Sequence, residues 1–501
     1  MIILLLVFFT LSLFTYMVVK RSVAKITRTP IWLLWAVMMA PAFIWMAWLV
    51  VKGENEQMPF ALFIIPFVVC PMLYWFLVQW GRLPDAPKPS RPPDDLSTSD
   101  GLLAYPPALE GKSTVRPINQ EEEKQLRNCF SWSVYYLQTV EYRPQAVICR
   151  GQLRTSPEVA YKTIRENIEA QFGDRFLVIF QEGMQGKPFF ALVANPAATS
   201  KDDASPVSRP LLALGLLVAT LLTTTLAGAW LMLPPGSEFT PEASMLWRGL
   251  PYALSIMAIL GTHELAHYLA ARRYHIQTTY PYFIPVPPAL IFPFGTFGAF
   301  IQMRSPVPHR KALFDVGIAG PLAGFIMTIP LLIWGLAHSE TLPLEETSSL
   351  FTFDSFSPTS SFLLTLLTRL SLGSAFTADQ ALNLHPVAIA GCLGLIVTAL
   401  NLMPVGQLDG GHIVHAMFGQ RTGALIGQVA RFLVLALAFV QSSYLVWAIL
   451  LFLMPTVDQP ALNDVTELND SRDFLGLLAL GLLVIIVLPA PPMLLNMLLA
   501  G

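Results

Sequence analysis

Three side chains that could bind and use a metal ion lie close together in an otherwise apolar stretch: His263, Glu264 and His267. Positions four apart lie on one face of a helix, with Cβ atoms about 5–6 Å apart, so both imidazoles can reach one Zn²⁺ at about 2.0–2.1 Å. Glu264 stands beside the first ligand, where its carboxylate can take a proton from water instead of binding the metal. The pattern therefore predicts a site for one zinc ion per chain, with Glu264 as general base.

A structural polar cluster is the alternative interpretation of this pattern, since His-Glu-x-x-His also occurs by chance. The surrounding residues read PYALSIMAILGTHELAHYLAARR, which is an apolar segment long enough to cross a membrane. Ionisable groups at membrane depth are energetically costly, and they usually serve a function. The location of the three side chains therefore favours a metal site.

A catalytic zinc ion needs a third protein ligand, and the best candidate is Asp409 in the stretch NLMPVGQLDGGH at 401–412. Asp409 follows a predicted span whose end lies on the same side of the membrane as the end of the His263 helix, so the two motifs can meet. The alternatives are that Asp409 only marks a turn, or that His412 or His415 supplies the ligand. Otherwise we expect these two histidines to be hydrogen-bonded polar groups beside the site.

The elements that position these residues follow from a composition typical of membrane proteins. Of the 501 residues, 54% are hydrophobic and 13% are charged, about half the charged fraction of an ordinary soluble domain. The net charge of −2 provides no basic field for nucleic acid. We expect about eight to ten spans. They are predicted over 2–19, 31–51, 59–80, 210–233, 248–271, 312–336, 386–405 and 474–499, with 424–454 forming either one long tilted helix or a tight pair.

Lysine and arginine residues predict the orientation of the spans. Four of these cations follow the first predicted span, and five more follow the fifth. Both groups lie on one side if the N-terminus is outside, and this side is then cytoplasmic. The same alternation places the hydrophilic block 81–209 there.

The block begins with a proline-rich linker at 81–116 and continues with a predicted α+β domain at 117–200. Its helices are predicted over 119–130 and 157–172, and its strands over 133–142, 145–153, 175–180 and 188–194.

The predicted fold is therefore mainly α: a polytopic α-helical membrane protein with a small cytoplasmic α+β domain inserted between the third and fourth spans. A three-span membrane region at 1–80 precedes the linker and the soluble domain. A catalytic membrane region at 201–455 and a C-terminal span at 456–501 follow it.

The chain resembles the site-2 protease family of intramembrane zinc metalloproteases through HELAH at 263–267, NLMPVGQLDGG at 401–411 and the order of the two motifs. The resemblance covers about 210–455. It implies that His263, His267 and Asp409 hold zinc and that Glu264 is the base. Asn401 matches a family asparagine placed near the substrate carbonyl, for which a plain interhelical hydrogen bond is the alternative role.

Two further stretches resemble the cyanobacterial and chloroplast branch of this family, the ethylene-dependent gravitropism-deficient and yellow-green type. Gly151-Gln152-Leu153-Arg154 is similar to its Gly-Asn-Leu-Arg element, with Gln152 in place of the usual asparagine. Residues 281–325 are similar to that branch as well. The resemblance implies a bacterial plasma membrane, a thylakoid membrane or a chloroplast membrane, and it leaves these open.

Residues 281–303 are apolar but contain five prolines, so a regular spanning helix is not expected. Irregular backbone at membrane depth must be buried in protein or line a wet cavity. A re-entrant loop or short hairpin is predicted, with Gly295, Thr296, Phe297 and Gly298 at its turn. An open strand edge there could hold an unwound substrate by strand addition. The alternative is an interfacial loop without substrate contact.

The next predicted span contains Gly317, Gly320 and Gly324 at helical spacing, which indicates close helix packing. Asp315 lies at its beginning. It is either a partner of a metal-bound histidine or an ordinary residue at a helix start.

These features together predict an intramembrane zinc metalloendopeptidase that cleaves transmembrane segments of other membrane proteins, as in regulated intramembrane proteolysis. Its expected partners are a membrane-protein substrate and membrane lipid, without nucleic acid; the sequence does not predict an oligomeric state. A catalytically silent membrane scaffold is one alternative, against which the intact Glu264 argues. A metal or solute transporter is the other, and the sequence has no inverted repeat to support it.

Overall fold

The computed structural model describes residues 27–52, 118–143, 146–183, 186–195, 209–233, 243–288, 293–343, 361–373, 380–440 and 444–489, with isolated positions between 12 and 20 and between 66 and 81. The chain divides into two compact units, Met1–Gly101 and Leu102–Gly501.

In the first unit, helix α1 spans Ile31–Lys52 and confirms the span predicted at 31–51. Residues just before it pair with residues 77–81: Arg28 N–H donates to the carbonyl of Gly81 at 2.6 Å, and Thr29 Oγ1 donates to the carbonyl of Leu77 at 2.7 Å. The spans predicted at 2–19 and 59–80 lie largely outside the described residues.

In the second unit, residues 120–194 form a four-stranded antiparallel sheet with two helices. The strand order β1-β2-β4-β3 leaves β1 and β3 at the edges. These helices and strands confirm the predicted local pattern. The elements are α2 Gln120–Cys129, β1 Tyr135–Arg143, β2 Ala146–Leu153, α3 Pro157–Phe172, β3 Phe176–Glu182 and β4 Pro188–Ala194.

Local sequence explains these boundaries. The α2 helix begins at a capping box, because Asn119 accepts from the N–H of Glu122 and the Glu122 side chain accepts from the N–H of Asn119. Helix α3 begins with Pro157, where the missing N–H costs nothing. In the Gly-Gln-Leu-Arg element, a Cβ at Gly151 would lie 2.1 Å from the carbonyl oxygen of Tyr136, so only glycine fits beside the β1 bulge.

The remaining elements form the helical region that contains the predicted site. Helices α5, α6 and α8 pack against one another at its centre, and α9 packs against α6. The elements are α4 Pro210–Leu231, α5 Ala243–Arg273, β5 Tyr282–Pro285, β6 Thr296–Phe300, α6 Arg310–Ala337, β7 Glu340–Pro343, α7 Phe362–Leu372, β8 Gln380–Asn383, α8 Pro386–Leu402, α9 Asp409–Phe418, α10 Gln420–Val440, α11 Leu445–Leu453 and α12 Asp470–Val487.

The mainly helical class is confirmed, and four helices among the described residues are long and apolar enough to cross a membrane. They are α1 over Ile31–Trp48, α4, α6 and α10 over Gln420–Phe439. The stretch 424–454, for which one helix or two were predicted, is divided between α10 and α11. Helices α7 and α9 were not predicted, because each is only 10–11 residues long, which is too short to match the length of a membrane span.

The predicted hairpin at 281–303 is present as β5 and β6, which pair in antiparallel fashion. The predicted position of its turn is wrong, because Thr296, Phe297 and Gly298 lie in β6 and Gly295 directly precedes it. The reason is that positive φ angles at Gly295 (+78°) and Gly298 (+96°) bend a strand here rather than closing a turn.

Candidate metal centre

The predicted ligands meet at one point in the structure, although Asp409 comes from a distant helix. The Nε2 atoms of His263 and His267 lie 3.1 Å apart. Asp409 Oδ2 lies 3.4 Å from His263 Nε2 and 3.2 Å from His267 Nε2. Both histidines are buried, and the Asp409 side chain is 17% exposed. Among the described residues, these three form the one group found that could hold a metal ion.

The spacing of these atoms fits zinc. Two ligand atoms about 2.0–2.1 Å from a shared ion, at a tetrahedral angle, lie roughly 3.3 Å apart. The three observed separations are 3.1–3.4 Å. Two imidazole nitrogens and one carboxylate oxygen are also ligands that zinc accepts, and a fourth position remains for water or substrate. The residues present therefore fit a catalytic zinc ion.

Helix α6 sets the orientation of both imidazole rings. Nδ1 of His267 lies 2.8 Å from the carbonyl oxygen of Val316, to which it can donate, leaving Nε2 to face the other ligands. A Cβ at Gly320 would lie 2.0 Å from His267 Nε2, and one at Gly324 would lie 3.1 Å from His263 Nδ1. The close packing predicted at these glycines thus leaves room for the side chains of His263 and His267.

Glu264 lies beside the ligand group and is 7% exposed. It is not one of the three residues that converge on the metal position. Its carboxylate accepts a hydrogen bond from the backbone of Ile301, the residue that follows β6. The candidate base is therefore held between the metal ligands and the hairpin.

The turn between α8 and α9 places Asp409, and two close backbone approaches shape it. A Cβ at Gly406 would lie 1.8 Å from the carbonyl oxygen of Pro455, and φ at Gly406 is +52°. A Cβ at Gly410 would lie 2.0 Å from the carbonyl oxygen of Leu402. Glycine is required at both positions, so the motif NLMPVGQLDGG encodes a tight turn as well as a ligand.

Asn401, on α8, reaches the same site. Its Nδ2 lies 3.3 Å from His263 Nε2, between the end of α8 and the metal position. Both roles considered for Asn401, a substrate contact and an interhelical hydrogen bond, are compatible with this position.

The four hairpin residues predicted to bind substrate divide into two pairs. Gly295 packs on α4, where its carbonyl accepts from Thr223 Oγ1 at 2.7 Å. Thr296 is buried and donates to the carbonyl of Ile284 at 2.9 Å. The side chain of Phe297 is 63% exposed, and nothing lies within 4 Å of a Cβ built at Gly298. The first pair therefore anchors the hairpin, and the second lies at exposed or uncrowded positions.

Asp315 does not contact the metal-binding histidines. It pairs with Arg472, whose Nε and Nη2 lie 2.7 Å from its two oxygens, and it accepts a hydrogen bond from Tyr274. Of the two roles considered for Asp315, partnership with a metal-bound histidine is excluded, since the Val316 carbonyl lies at His267 Nδ1.

His412 and His415 are not zinc ligands in this arrangement. They bond instead to Asp458 and Asp464, two carboxylates that the sequence did not single out. The only available signal was a pair of acidic residues in a short polar stretch between two apolar helices.

Comparisons with known proteins point to one family. Residues 251–442 match the model of Peptidase family M50, and residues 124–201 match the model of the EGY3 middle domain. No solved structure matches the chain.

Three curated relatives are similar to the chain. "Probable zinc metalloprotease EGY2, chloroplastic" of Oryza sativa subsp. indica is 30% identical over 370 residues, which are 72% of this chain and 65% of the relative. EGY1 of Arabidopsis thaliana, with the same description, is 35% identical over 261 residues, 51% of this chain and 46% of the relative. EGY3 of Oryza sativa subsp. japonica is 26% identical over 369 residues, 70% of this chain and 61% of the relative.

In each of these relatives, the match spans less than two thirds of the relative's length. The matched range 251–442 contains the three converging residues, the adjacent Glu264 and Asn401. Through residues 251–442, the chain therefore carries a domain of Peptidase family M50, the site-2 protease family.

Proposed function

We propose that the chain is a zinc-dependent endopeptidase that cleaves transmembrane segments of other membrane proteins. The observation that carries this proposal is the meeting of Asp409 with His267, 142 residues away in sequence, at 3.2 Å. A half-buried carboxylate next to two buried imidazoles, with a further glutamate beside them, is suited to metal-assisted hydrolysis. The family match and the relatives described as zinc metalloproteases support the same activity.

In the proposed reaction, His263, His267 and Asp409 hold one zinc ion per chain. The chemistry that this ion supplies when bound is polarisation of the scissile carbonyl and activation of a water molecule. Glu264 takes a proton from the attacking water and passes it to the leaving amine as the peptide C–N bond breaks. Asn401 Nδ2, 3.3 Å from His263 Nε2, is placed to donate a hydrogen bond to the substrate carbonyl oxygen.

The hairpin is the proposed substrate platform. A transmembrane substrate must unwind before its peptide bond can reach the metal, and an extended segment can then pair with a strand edge. Strand β6 ends next to Ile301, which bonds to Glu264, so a segment paired with β6 would be delivered to the base. Gly295 and Thr296 would fix this platform, and Phe297 and Gly298 would contact the substrate.

We further propose that the soluble sheet domain lies on the cytoplasmic side, with the N-terminus outside. The cation-rich loops on that side support this orientation. A bacterial plasma membrane, a thylakoid membrane or a chloroplast membrane would each accommodate it. The relatives described as chloroplastic favour a photosynthetic membrane.

The test compares the wild-type chain with Glu264→Gln and Asp409→Asn in proteoliposomes that contain extracted membrane proteins. Zinc content is measured by mass spectrometry, and new membrane-protein fragments are identified by proteomics. We expect Glu264→Gln to retain zinc and to lose cleavage by about 10²–10⁴-fold, because only the base is removed. We expect Asp409→Asn to lose zinc as well.

The exposed Glu166→Gln substitution in α3 is the matched control and should change neither measurement. Cleavage by Glu264→Gln at the wild-type rate would exclude Glu264 as base. If the wild-type chain binds zinc but produces no substrate fragments, a silent scaffold is favoured. If zinc crosses the vesicle membrane, a transporter is favoured.

A further inference from the structure

A second buried cluster of titratable side chains lies next to the metal ligands but is separate from them. Asp458 Oδ2 lies 2.7 Å from His415 Nδ1 and 2.8 Å from His412 Nδ1. Asp464 Oδ1 lies 3.0 Å from His415 Nε2. His415 is 1% exposed, and both carboxylates are buried. Because carboxylates face both ring nitrogens of His415, they fix the orientation of its ring.

Both histidines lie on α9, the ten-residue helix that begins with Asp409. His412 follows Asp409 by three residues, which places it one turn along on nearly the same face. An isolated helix of this length is not stable in water by its own hydrogen bonds. The position of Asp409 therefore depends on the contacts that hold α9 from outside.

Contacts at both ends of α9 are made by other elements. At its C-terminal end, Arg310 Nε donates to the carbonyl of Ala416 at 2.8 Å. Near its beginning, the turn containing Gly406 packs on the carbonyl of Pro455. Arg431 on α10 fixes that carbonyl by donating to it at 2.9 Å. The segment that supplies Asp458 and Asp464 thus also supports the turn before Asp409.

The segment is itself fixed by the soluble sheet. Phe180 in edge strand β3 donates its N–H to the carbonyl of Leu462 at 2.7 Å, and Asp464 N–H donates to the carbonyl of Phe180 at 2.9 Å. On the other side, Leu462 N–H donates to the carbonyl of Val307 at 2.9 Å, just before α6. The Leu462 side chain is buried in the core of the sheet domain. Asp464 cannot shift without breaking backbone pairing to β3.

The geometry points to residues 455–464 as a positioning segment, in which Asp458 and Asp464 hold the histidines of α9 and thereby hold Asp409 against the two imidazoles of α5. This inference rests on the proposed function, because it concerns the third ligand of the proposed zinc site. Asp458 and Asp464 are positioning residues that act through α9. The same segment contacts both the soluble sheet and α9, so it fixes the sheet relative to the metal centre.

The experiment measures zinc affinity by competition with a chromophoric chelator, using the full chain in detergent. The variants are Asp458→Asn and Asp464→Asn, which keep the side-chain shape and remove the charge. Mutation of a residue that orients a metal ligand typically lowers metal affinity 10–100-fold. We therefore expect zinc affinity to fall about tenfold or more, with kcat reduced and KM unchanged.

Two controls separate positioning from general stability. Glu467→Gln removes an exposed charge just beyond the segment and should leave zinc affinity unchanged. Leu451→Ala truncates a fully buried side chain on α11 and should lower the unfolding temperature without changing zinc affinity. If the Asp458 and Asp464 variants behave like Leu451→Ala, the positioning role is wrong. If Asp458→Asn does not fold, Asp464→Asn carries the same test, because its side chain faces His415 Nε2.

The experiments distinguish failure of the positioning role from failure of the proposed function. Failure of the proposed function would appear as absence of Glu264-dependent cleavage by the wild-type chain. Failure of the positioning role would appear as wild-type zinc affinity in both aspartate variants.

Discussion

The soluble sheet domain and the metal centre are built in opposite ways. In the sheet domain, hairpins β1–β2 and β3–β4 join neighbouring segments, and helix α2 begins at its own capping box. In the metal centre, His267 meets a carboxylate 142 residues later and a carbonyl 49 residues later. One region is specified by local pattern, and the other by contacts between helices that are distant in sequence.

The difference matters for how each region responds to mutation. A single substitution in a local element removes one cap or one buried side chain, so it changes the unfolding free energy only modestly. The metal centre needs three atoms within a few tenths of an ångström of fixed positions. A small displacement there therefore removes a function even when the fold survives.

The largest expected effect comes from Gly320→Ala in α6. The added methyl group would lie 2.0 Å from His267 Nε2, the atom placed to bind the metal. Alanine favours a helix over glycine by about 1 kcal/mol, so the helix itself should persist. We expect loss of bound zinc and at least about a 100-fold loss of cleavage, measured by metal content and by fragment formation.

Two matched glycines sharpen this test. Gly324→Ala brings a methyl group to 3.1 Å from His263 Nδ1 and should have a smaller effect. Gly215→Ala in α4, where no atom lies within 4 Å of the added Cβ, should leave zinc content unchanged. Equal zinc content in all three variants would contradict the role assigned to the α6 glycines.

The sequence allowed prediction of many of the features that a short pattern encodes. The strands and helices of 119–194 follow from local periodicity. His263, Glu264 and His267 follow from helical spacing, and Asp409 follows from a motif on the same predicted side of the membrane.

The missed contacts around the metal centre share one cause, which is sequence distance without a local signature. Val316 orients His267 through a backbone carbonyl, and any residue type could supply that atom. Asp458 and Asp464 are 43 and 49 residues from His415. In sequence they read as loop carboxylates, because only the tertiary fold brings them to a buried imidazole.

A core substitution in the sheet domain has the next largest expected effect. Ile164 on α3 is fully buried, and Ile164→Ala should cost about 2–5 kcal/mol of unfolding free energy. Below the unfolding temperature, zinc affinity should be unchanged, because β3 still pairs with residues 462–464. Protease susceptibility of the sheet domain against temperature, together with chelator competition, measures both quantities.

Val159→Ala, at a half-exposed position of the same helix, is the control and should change stability by less than about 0.5 kcal/mol. A fall in zinc affinity in Ile164→Ala while the sheet is still folded would mean that the two regions are not separable in this way.

The smallest expected effect comes from the capping box of α2. Asn119→Ala removes the acceptor for Glu122 N–H, now 2.7 Å away, and should cost about 1 kcal/mol. The backbone N–H of Asn119 donates to Glu122 and lowers the pKa of that carboxyl below its usual range. A lowered folded-state pKa stabilises the fold above the ordinary pKa and loses this effect as the pH falls.

The destabilisation of Glu122→Gln relative to wild type should therefore be present at pH 7 and shrink below about pH 4. Denaturant unfolding of the sheet domain at the two pH values measures this, with exposed Gln125→Ala as a control that should change little. If Glu122→Gln destabilises the domain equally at both pH values, the negative charge of Glu122 does not contribute to the stability of the cap. Because the capping box lies in the sheet domain and contacts none of the three metal ligands, neither Asn119→Ala nor Glu122→Gln should change zinc content. Gly320→Ala differs, because its single methyl group lies at a contact between distant helices.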